Sequence, residues 1–181
     1  MTESENLRGI VKRCQQGDEE AFAQLVDKYS DSCFGYFYRM TGNAEISNDL
    51  LSDLFMRVVQ KIGTFKGGSF KSWIFRIASN LFYDQLRFQQ RQKKLFEGQA
   101  ERIETFEPDV GSQLDLQDQL QAALSKLDDD TAELLMLRYY SEMSFKELSQ
   151  LRGEPIGTTL AKVRRALIKL RQIMSDDVEG G

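Results

Sequence analysis

The sequence predicts an all-α protein in which two small helical domains are joined by an acidic linker. Apolar residues recur at helical spacing in both halves, as in Phe22, Leu25 and Tyr29. Alternation of apolar and polar residues, which is typical of strands, is never sustained. The two prolines, Pro108 and Pro155, fall between helical segments. The expected units are a first domain over 1–95, a linker over 96–117, a second domain over 118–176 and a disordered tail over 177–181.

The composition is that of a globular protein, because 41% of the 181 residues are hydrophobic and 29% are charged. No stretch approaches the roughly 18 apolar residues that a membrane-spanning helix needs. The N-terminus, MTESENLRGIVKRC, lacks the apolar run of a signal peptide. Cys14 and Cys33 form no CxxC pair, so we expect reduced thiols in a cytoplasmic protein.

Catalysis is not indicated. The chain contains no histidine, the side chain used most often for general acid–base chemistry and for metal binding. Its acidic residues fall into no metal-binding or nucleophile spacing. The glycine-rich stretch from Gly63 to Phe70, GTFKGGSF, lacks the GK[ST] ending of a phosphate-binding loop. We therefore expect no enzyme, no metal and no cofactor.

Charge is segregated along the chain, although the formal net charge is only −4. Residues 57–95 carry nine basic and one acidic side chain, and residues 138–171 carry eight basic and three acidic ones. Residues 96–137, between them, carry eleven acidic and two basic ones. A single basic block is as often an ordinary solvated surface as a surface that binds phosphates. Two blocks that each coincide with a helix favour contact with nucleic-acid phosphates.

A long helix is predicted after the turn Lys66-Gly67-Gly68, with Ser69 as its N-cap. Its apolar face carries Phe70, Trp73, Ile74, Ile77 and Leu81. Its polar, mostly basic stripe advances by three or four residues: Arg76, Asn80, Asp84, Arg87, Arg91 and Lys94. Core packing is the simpler role for Trp73. Aromatic residues near the stripe suit stacking on unpaired bases, which is worth roughly 1–3 kcal/mol per base; they are Phe65, Tyr83 and Phe88.

The second domain has a helix-turn-helix pattern. Ser144 and Glu147 form a capping box that predicts a helix from Phe145 to about Arg152, and Gly153-Glu154-Pro155 is the break after it. The next helix turns Val163, Ala166, Leu170 and Ile173 inward. Its outward residues are Thr158, Lys162, Arg165, Lys169 and Gln172. A recognition helix in the DNA major groove needs this division, and a plain helical hairpin with a solvated basic side is the alternative.

These segments resemble the extracytoplasmic-function sigma factors, the smallest members of the main bacterial sigma family. The similarity extends over 21–43, 48–87 and 123–171, in the order that the family has. It implies a factor that binds core RNA polymerase and directs promoter recognition, melting and transcription initiation. The family's run F-x-x-W-x-x-x-I-A-x-N-x-x-x-D-x-x-R is matched by Phe70, Trp73, Ile77, Ala78, Asn80, Asp84 and Arg87.

The resemblance implies three sets of site residues. The polymerase clamp would be contacted by Asp49, Leu50, Ser52, Asp53, Phe55 and Met56. The melted, single-stranded minus-ten element would be held by Lys66, Ser69, Lys71, Arg76, Asn80, Tyr83, Asp84, Arg87 and Arg91. The duplex minus-thirty-five element would be contacted by Thr158, Thr159, Ala161, Lys162, Arg165 and Lys169. The second domain would also touch the polymerase flap, an anti-sigma factor would be a further partner, and the acidic linker would thread the RNA channel.

The chain departs from the family's pattern at several positions. Ser52-Asp53 stands where relatives usually have Gln-Glu, and Asp128 where they have proline. The family's G-T-V-K-S-R becomes Gly157 to Lys162, which places Leu160 at a basic position. Lysine at 162 cannot make the bidentate guanine contact of an arginine as well. We therefore expect a promoter preference that differs from those of relatives.

Two other functions fit parts of the sequence. A sigma mimic would only sequester an anti-sigma factor, but such mimics usually carry a receiver domain, for which this chain is too short. An unrelated helix-turn-helix repressor would use its first domain to bind a ligand or to dimerise. The basic, aromatic-bearing helix at 70–94 argues against the repressor.

Overall fold

The computed structural model describes residues 3–96 and 116–179, and over these ranges it contains helices and no strands. The fold class expected from the sequence is confirmed. The helices of the first domain are α1 (Glu3–Gln15), α2 (Glu19–Thr41), α3 (Ala44–Lys61) and α4 (Phe70–Phe96). The helices of the second domain are α5 (Leu116–Ser125), α6 (Asp129–Leu135), α7 (Phe145–Arg152) and α8 (Ile156–Glu179).

Side-chain caps fix where helices of the first domain begin. Asp18 accepts a hydrogen bond from the Ala21 amide at 3.0 Å at the start of α2, and Asn43 accepts one from the Ile46 amide at 3.0 Å at the start of α3. Gly42 ends α2 with a φ of 65°, a left-handed conformation that costs glycine nothing. Helices α2, α3 and α4 then pack around a buried core that includes Leu25, Tyr29, Phe37, Leu54, Ile74 and Phe75.

The second domain is a helix-turn-helix unit. The predicted capping box is present: Ser144 Oγ accepts a hydrogen bond from the Glu147 amide at 3.2 Å, and Glu147 Oε2 accepts one from the Ser144 amide at 2.8 Å. Gly153, with a φ of 64°, ends α7, and α8 begins directly after Pro155. Both helices lie where the sequence placed them.

An irregular turn separates α6 from α7. The chain passes from α6 into a π-helical turn, Met136–Tyr140, and such turns are frequent at functional sites. Glu142 follows with a φ of 56°, a left-handed conformation that is uncommon for any residue other than glycine. The turn leaves the side chains of Tyr140 and Glu142 on the surface, facing the first domain.

The two domains pack against each other through α2 and α4 on one side and α6 and its neighbours on the other. The carboxylate of Glu133 in α6 accepts hydrogen bonds from Tyr36 of α2 and from Ser79 and Tyr83 of α4. Only 1% of Glu133 is exposed. A buried carboxylate is stable only when it is well hydrogen-bonded, so Glu133 is a fixed point of the contact between the domains.

The domain limits expected from the sequence stay predictions, and the structure gives two helix bounds close to them. Helix α5 begins at Leu116, two residues before the expected start of the second domain. Helix α8 continues to Glu179, so the first three residues of the tail that was expected to be disordered are helical. The physical reason is that no helix-breaking residue occurs before Gly180. The predicted linker at 96–117 lies largely outside the described residues.

Cys14 and Cys33 are free and buried in the structure. Burial raises the pKa of the Cys33 thiol to about 12, so this thiol stays protonated and poorly reactive at neutral pH. Among the described helices, none has the length and apolar character that crossing a bilayer requires.

Candidate nucleic-acid interface

The polar stripe predicted on α4 lies on the surface. Asp84 of this stripe pairs with Arg87 at 2.6 Å and with Arg57 of α3 at 3.7 Å. Four other members have no hydrogen-bond or ion-pair partner among the described residues and are therefore available to a ligand. They are Arg76, Asn80, Arg91 and Lys94, all of them exposed.

A glycine turn lies beside the N-terminal end of α4. Gly67 and Gly68 have φ values of 111° and 91°, which side-chain-bearing residues rarely adopt. Ser69 directly follows the turn. Its Oγ accepts a hydrogen bond from the Ser72 amide at 3.1 Å, and this bond confirms the predicted N-cap. Lys66 and Ser69 are exposed, as their expected contact with DNA requires.

An aromatic cluster supports this turn. The ring centroids of Phe65, Phe70 and Trp73 lie 5.3 to 5.6 Å apart. Phe70 is buried, whereas Phe65 and Trp73 are half-buried, so Trp73 combines core packing with partial access to the surface. Gln15 of α1 fixes the backbone of the turn by donating to the Phe65 carbonyl at 2.9 Å. Cationic and aromatic groups thus lie side by side, the combination that single-stranded nucleic acid binds.

Two predicted residues of this face are engaged by the second domain. Lys71 pairs with Glu142 at 2.8 Å. Tyr83 donates hydrogen bonds to Asp130 at 2.5 Å and to Glu133 at 3.0 Å. Burial and the hydrogen bond to Asp130 raise the pKa of the Tyr83 hydroxyl, so it remains a donor at neutral pH.

Helix α8 exposes most of the residues that were expected to contact DNA: Thr158, Ala161, Lys162, Arg165 and Lys169. Thr159 is an exception. It is 0% exposed, and its hydroxyl donates to Glu154 at 3.0 Å. Its predicted contact with DNA therefore lacks an exposed side chain, because the position of Thr159 on the helix turns it towards the preceding break instead of the outer face.

Carboxylates neutralise part of the α8 surface. Glu154 pairs with Lys162, and Asp128 lies 3.4 Å from Lys169 Nζ. The hydrogen bond from Lys162 is the largest cause that holds the pKa of Glu154 below its usual value. Arg165, in contrast, has no partner among the described residues. Arg165 can therefore bind a new group without first breaking an internal ion pair.

The second domain also contains a cleft of about 270 Å³ between α6 and α8. Its walls carry the paired charges Asp128, Glu154, Lys162 and Lys169. Because each of these carboxylates already has a lysine partner, the cleft offers no open set of metal ligands. In the part of the chain that the structure describes, no group of His, Cys, Asp or Glu could hold a metal ion.

Helix α3 presents most of the residues that were expected to contact polymerase. Asp49, Ser52, Asp53 and Met56 are exposed and Phe55 is half-buried. Leu50, however, is only 5% exposed and belongs to the core, so its predicted contact with a partner lacks an exposed side chain. Met56 is 62% exposed.

Comparison with known proteins identifies the family. Residues 25–92 match the model of Sigma-70 region 2, and residues 117–170 match that of Sigma-70, region 4. The chain is also 30% identical over 165 residues to the ECF RNA polymerase sigma factor RpoE of Cereibacter sphaeroides, which covers 87% of this chain and 88% of that protein. The chain belongs to the ECF RNA polymerase sigma factors.

Other sigma factors are similar over nearly the whole length. ECF RNA polymerase sigma factor SigW of Bacillus subtilis is 29% identical over 185 residues, covering 94% of this chain and 97% of that protein. Among solved structures, the sigma factor RpoE in complex with the anti-sigma factor NepR from Bartonella quintana is similar with a TM-score of 0.70 and 26% identity. That similarity covers 85% of this chain and 96% of that chain.

The two sigma regions coincide with the two surfaces. Region 2 includes α3, the glycine turn and all but the last turn of α4, and region 4 includes α7 and the part of α8 that ends at Leu170. The sigma factor therefore carries each cationic surface in a separate sigma region. The departures noted in the sequence also have a structural role, since Asp128 caps α6 and Lys162 pairs with Glu154.

Sequence reasoning missed the buried network of this sigma factor around Glu133. The available signal was a charged residue inside the apolar run AELLML, because charged residues are rarely fully buried unless they are paired. Its partners in the first domain could not be inferred, because Tyr36 lies 97 positions and Ser79 54 positions away in the chain.

Proposed function

We propose that this sigma factor brings core RNA polymerase to promoters by using two surfaces. The glycine turn and α4 hold the melted minus-ten element, and α8 binds the duplex minus-thirty-five element. The observation that carries this proposal is that two exposed cationic surfaces occupy two separate domains, each within the matching sigma region. A protein with a single DNA-binding domain would need only one such cationic surface.

On α4 the exposed groups that have no partner among the described residues take separate roles. Arg76 and Arg91 bind phosphates, and Asn80 forms hydrogen bonds with an unpaired base. Extruding a base from duplex DNA costs a few kcal/mol, and stacking on an aromatic residue returns roughly 1–3 kcal/mol. One small surface therefore offsets the cost of extruding one or two bases, and not the cost of melting the whole element. Melting consequently requires polymerase.

On α8 the residues near the N-terminus lie closest to the base edges, as in other recognition helices. Thr158 and Ala161 approach the groove floor, and Leu160, 48% exposed, meets a thymine methyl. Arg165 contacts a base or a phosphate. Lys162 and Lys169 leave their carboxylates to do so, which lowers their net contribution.

Other partners bind elsewhere. The exposed residues of α3 dock on the polymerase clamp, and the second domain touches the polymerase flap. An anti-sigma factor is a further partner, which is supported by the similar RpoE structure that contains one. The acidic linker, which lies outside the described residues, threads the RNA channel. The protein acts in the cytoplasm, on the nucleoid when it is part of the holoenzyme.

The proposal is tested by run-off transcription with purified core polymerase. The templates are promoters that the holoenzyme has selected from a random DNA pool. We expect initiation with the wild-type protein and its loss when Arg76 and Arg91 are both replaced with alanine. Arg8→Ala, which neutralises an exposed arginine on α1, is the matched control and should initiate normally. A wild-type protein that binds core polymerase yet supports no initiation would contradict the proposal.

A further inference from the structure

The glycine turn has no hydrogen bonds that fix its shape from within. Gly67 and Gly68 are exposed, and over the described ranges 3–96 and 116–179 neither of them takes part in a hydrogen bond. Glycine is also the residue with the greatest backbone freedom. The conformation of the turn therefore depends on the residues that hold its two ends. Ser69, the N-cap of α4, holds the end that leads into the helix.

Gln15, the last residue of α1, holds the other end. Its side-chain amide donates to the Ile62 carbonyl at 3.0 Å and to the Phe65 carbonyl at 2.9 Å. A short 3-10 turn, Ile62–Thr64, lies between these carbonyls, and the Phe65 amide closes it by donating to the Ile62 carbonyl at 3.1 Å. A primary amide carries two N–H donors, so one side chain serves both carbonyls. Gln15 thus ties Phe65, where the glycine turn begins, to the 3-10 turn that follows α3.

The core of the first domain holds Gln15 itself in place. Val11 and Cys14, which precede it on α1, are buried. Ile62, one of its two acceptors, is buried as well. Both the donor helix and this acceptor are therefore fixed, and the second hydrogen bond, to Phe65, extends that restraint to the beginning of the glycine turn.

Phe65 carries the restraint to the surface that is expected to hold DNA. Its ring lies against Phe70 and Trp73, with centroid distances of 5.4 and 5.6 Å. Lys66 follows directly in the chain and is exposed. The backbone position of Phe65 therefore sets where Lys66 and the glycines emerge beside the aromatic cluster. Helix α1, in contrast, lies before residue 25, where the match to Sigma-70 region 2 begins.

We propose that Gln15 is a positioning residue for the minus-ten element: it holds the glycine turn ready to accept an unpaired base, without touching DNA. The inference rests on the function proposed above for this turn. A segment that is already ordered loses less conformational entropy when it binds. With the Gln15 amide in place, the turn binds the base that fits it without first becoming ordered. Without the amide the turn becomes mobile, and the advantage of the fitting base over the other three becomes smaller.

Two substitutions remove the donors and leave the rest of α1 intact. Gln15→Met keeps the length of the side chain, and Gln15→Glu keeps its shape but presents oxygens that repel the two carbonyls. Methionine and glutamate form helices about as well as glutamine. Gln16→Met and Gln16→Glu are the matched controls. The neighbouring Gln16 is exposed, and its side chain has no hydrogen-bond partner in the part of the chain that the structure describes.

The first measurement tests the free protein. Trp73 is the only tryptophan in the chain, and it is half-buried against Phe65. Acrylamide quenching of its fluorescence therefore reports how firmly the start of the glycine turn is held. We expect stronger quenching in Gln15→Met and Gln15→Glu and wild-type quenching in both Gln16 variants. The helical circular dichroism signal should be unchanged in all four proteins.

The second measurement tests promoter discrimination by the holoenzyme at concentrations below saturation. Initiation rates are compared between the selected promoter and promoters in which one base of the minus-ten element is replaced. The ratio of the two rates does not depend on the amount of folded protein, so a role confined to stability leaves it unchanged. We expect both Gln15 variants to lower this ratio about 5- to 30-fold at the base that the turn holds, which corresponds to the loss of one or two hydrogen bonds. The other positions should keep their ratios.

Three outcomes would overturn the inference. The first is unchanged discrimination in both Gln15 variants, and the second is an equal loss in the Gln16 variants. The third is lost discrimination without stronger quenching, because Gln15 would then contact DNA itself. If one Gln15 variant loses its helical signal, the other decides the matter. A wild-type holoenzyme that initiates equally on every minus-ten variant would instead refute the proposed role of the turn, whereas quenching in the free protein would still report whether Gln15 holds it.

Discussion

Replacing Arg165 with alanine should weaken binding of the holoenzyme to the upstream promoter element. Arg165 is exposed on α8 and has no ion pair among the described residues. Its replacement therefore removes a DNA contact without also breaking an internal ion pair. An arginine that contacts a base edge is worth about 1–3 kcal/mol. That range corresponds to about a 5- to 140-fold rise in Kd, at 1.4 kcal/mol per tenfold change.

The assay is competition binding of the holoenzyme to two duplexes, one with the selected upstream element and one with that element scrambled. If Arg165 contacts a base, discrimination between the duplexes falls, and if it contacts a phosphate, affinity falls equally on both. Arg164→Ala is the matched control, since Arg164 is exposed on the same helix but lies off the outward row. Unchanged affinity in Arg165→Ala, or an equal loss in Arg164→Ala, would refute the assignment.

Three further predictions follow from single side chains. Asn80→Ala should abolish promoter melting, scored by permanganate reactivity of unpaired thymines, while pull-down of core polymerase is retained; loss of both would show misfolding instead. Glu154→Gln should remove the cost of breaking the ion pair between Glu154 and Lys162, and so raise DNA affinity; an unchanged affinity would contradict this. Asp128 caps α6, and its hydrogen bond with Thr131 is the main cause that lowers its pKa below the ordinary value of 3.8. The contribution of Asp128 to stability is therefore present above that pH and is lost as the pH falls below it. Asp128→Asn keeps a good cap and removes the titration, so its melting temperature should fall less than that of the wild type between pH 5 and pH 3, and parallel curves would contradict the reasoning.

The local structure was largely accessible from the sequence. Caps such as Ser69 and the Ser144–Glu147 box are decided by neighbouring residues, and so are helix periodicity and the glycine turn. For that reason the bounds of α7 and the exposed rows of α4 and α8 agree with expectation. The exceptions, Thr159 and Leu50, are residues whose burial depends on what packs against them.

The contact between the domains was not accessible from the sequence. It depends on pairs such as Tyr36 with Glu133 and Gly35 with Tyr140, which are distant in the chain and carry no local pattern. The ion pair of Lys162 with Glu154 was likewise missed, because charge counts over a segment do not show which cations are neutralised by a neighbouring carboxylate. Local spacing predicts which side chains share a helix face, and tertiary packing decides which of them are available to DNA.

Site-specific photocrosslinking in one promoter complex tests most directly whether both cationic surfaces lie on DNA. A photoreactive amino acid would replace Phe88 on α4 in one protein and Ala161 on α8 in another, both exposed positions. Each would be assembled with core polymerase on the same selected promoter. We predict crosslinks at position 88 near the minus-ten element and at position 161 near the minus-thirty-five element. Crosslinks from both positions to a single element, or from neither position to DNA, would contradict the two-surface account.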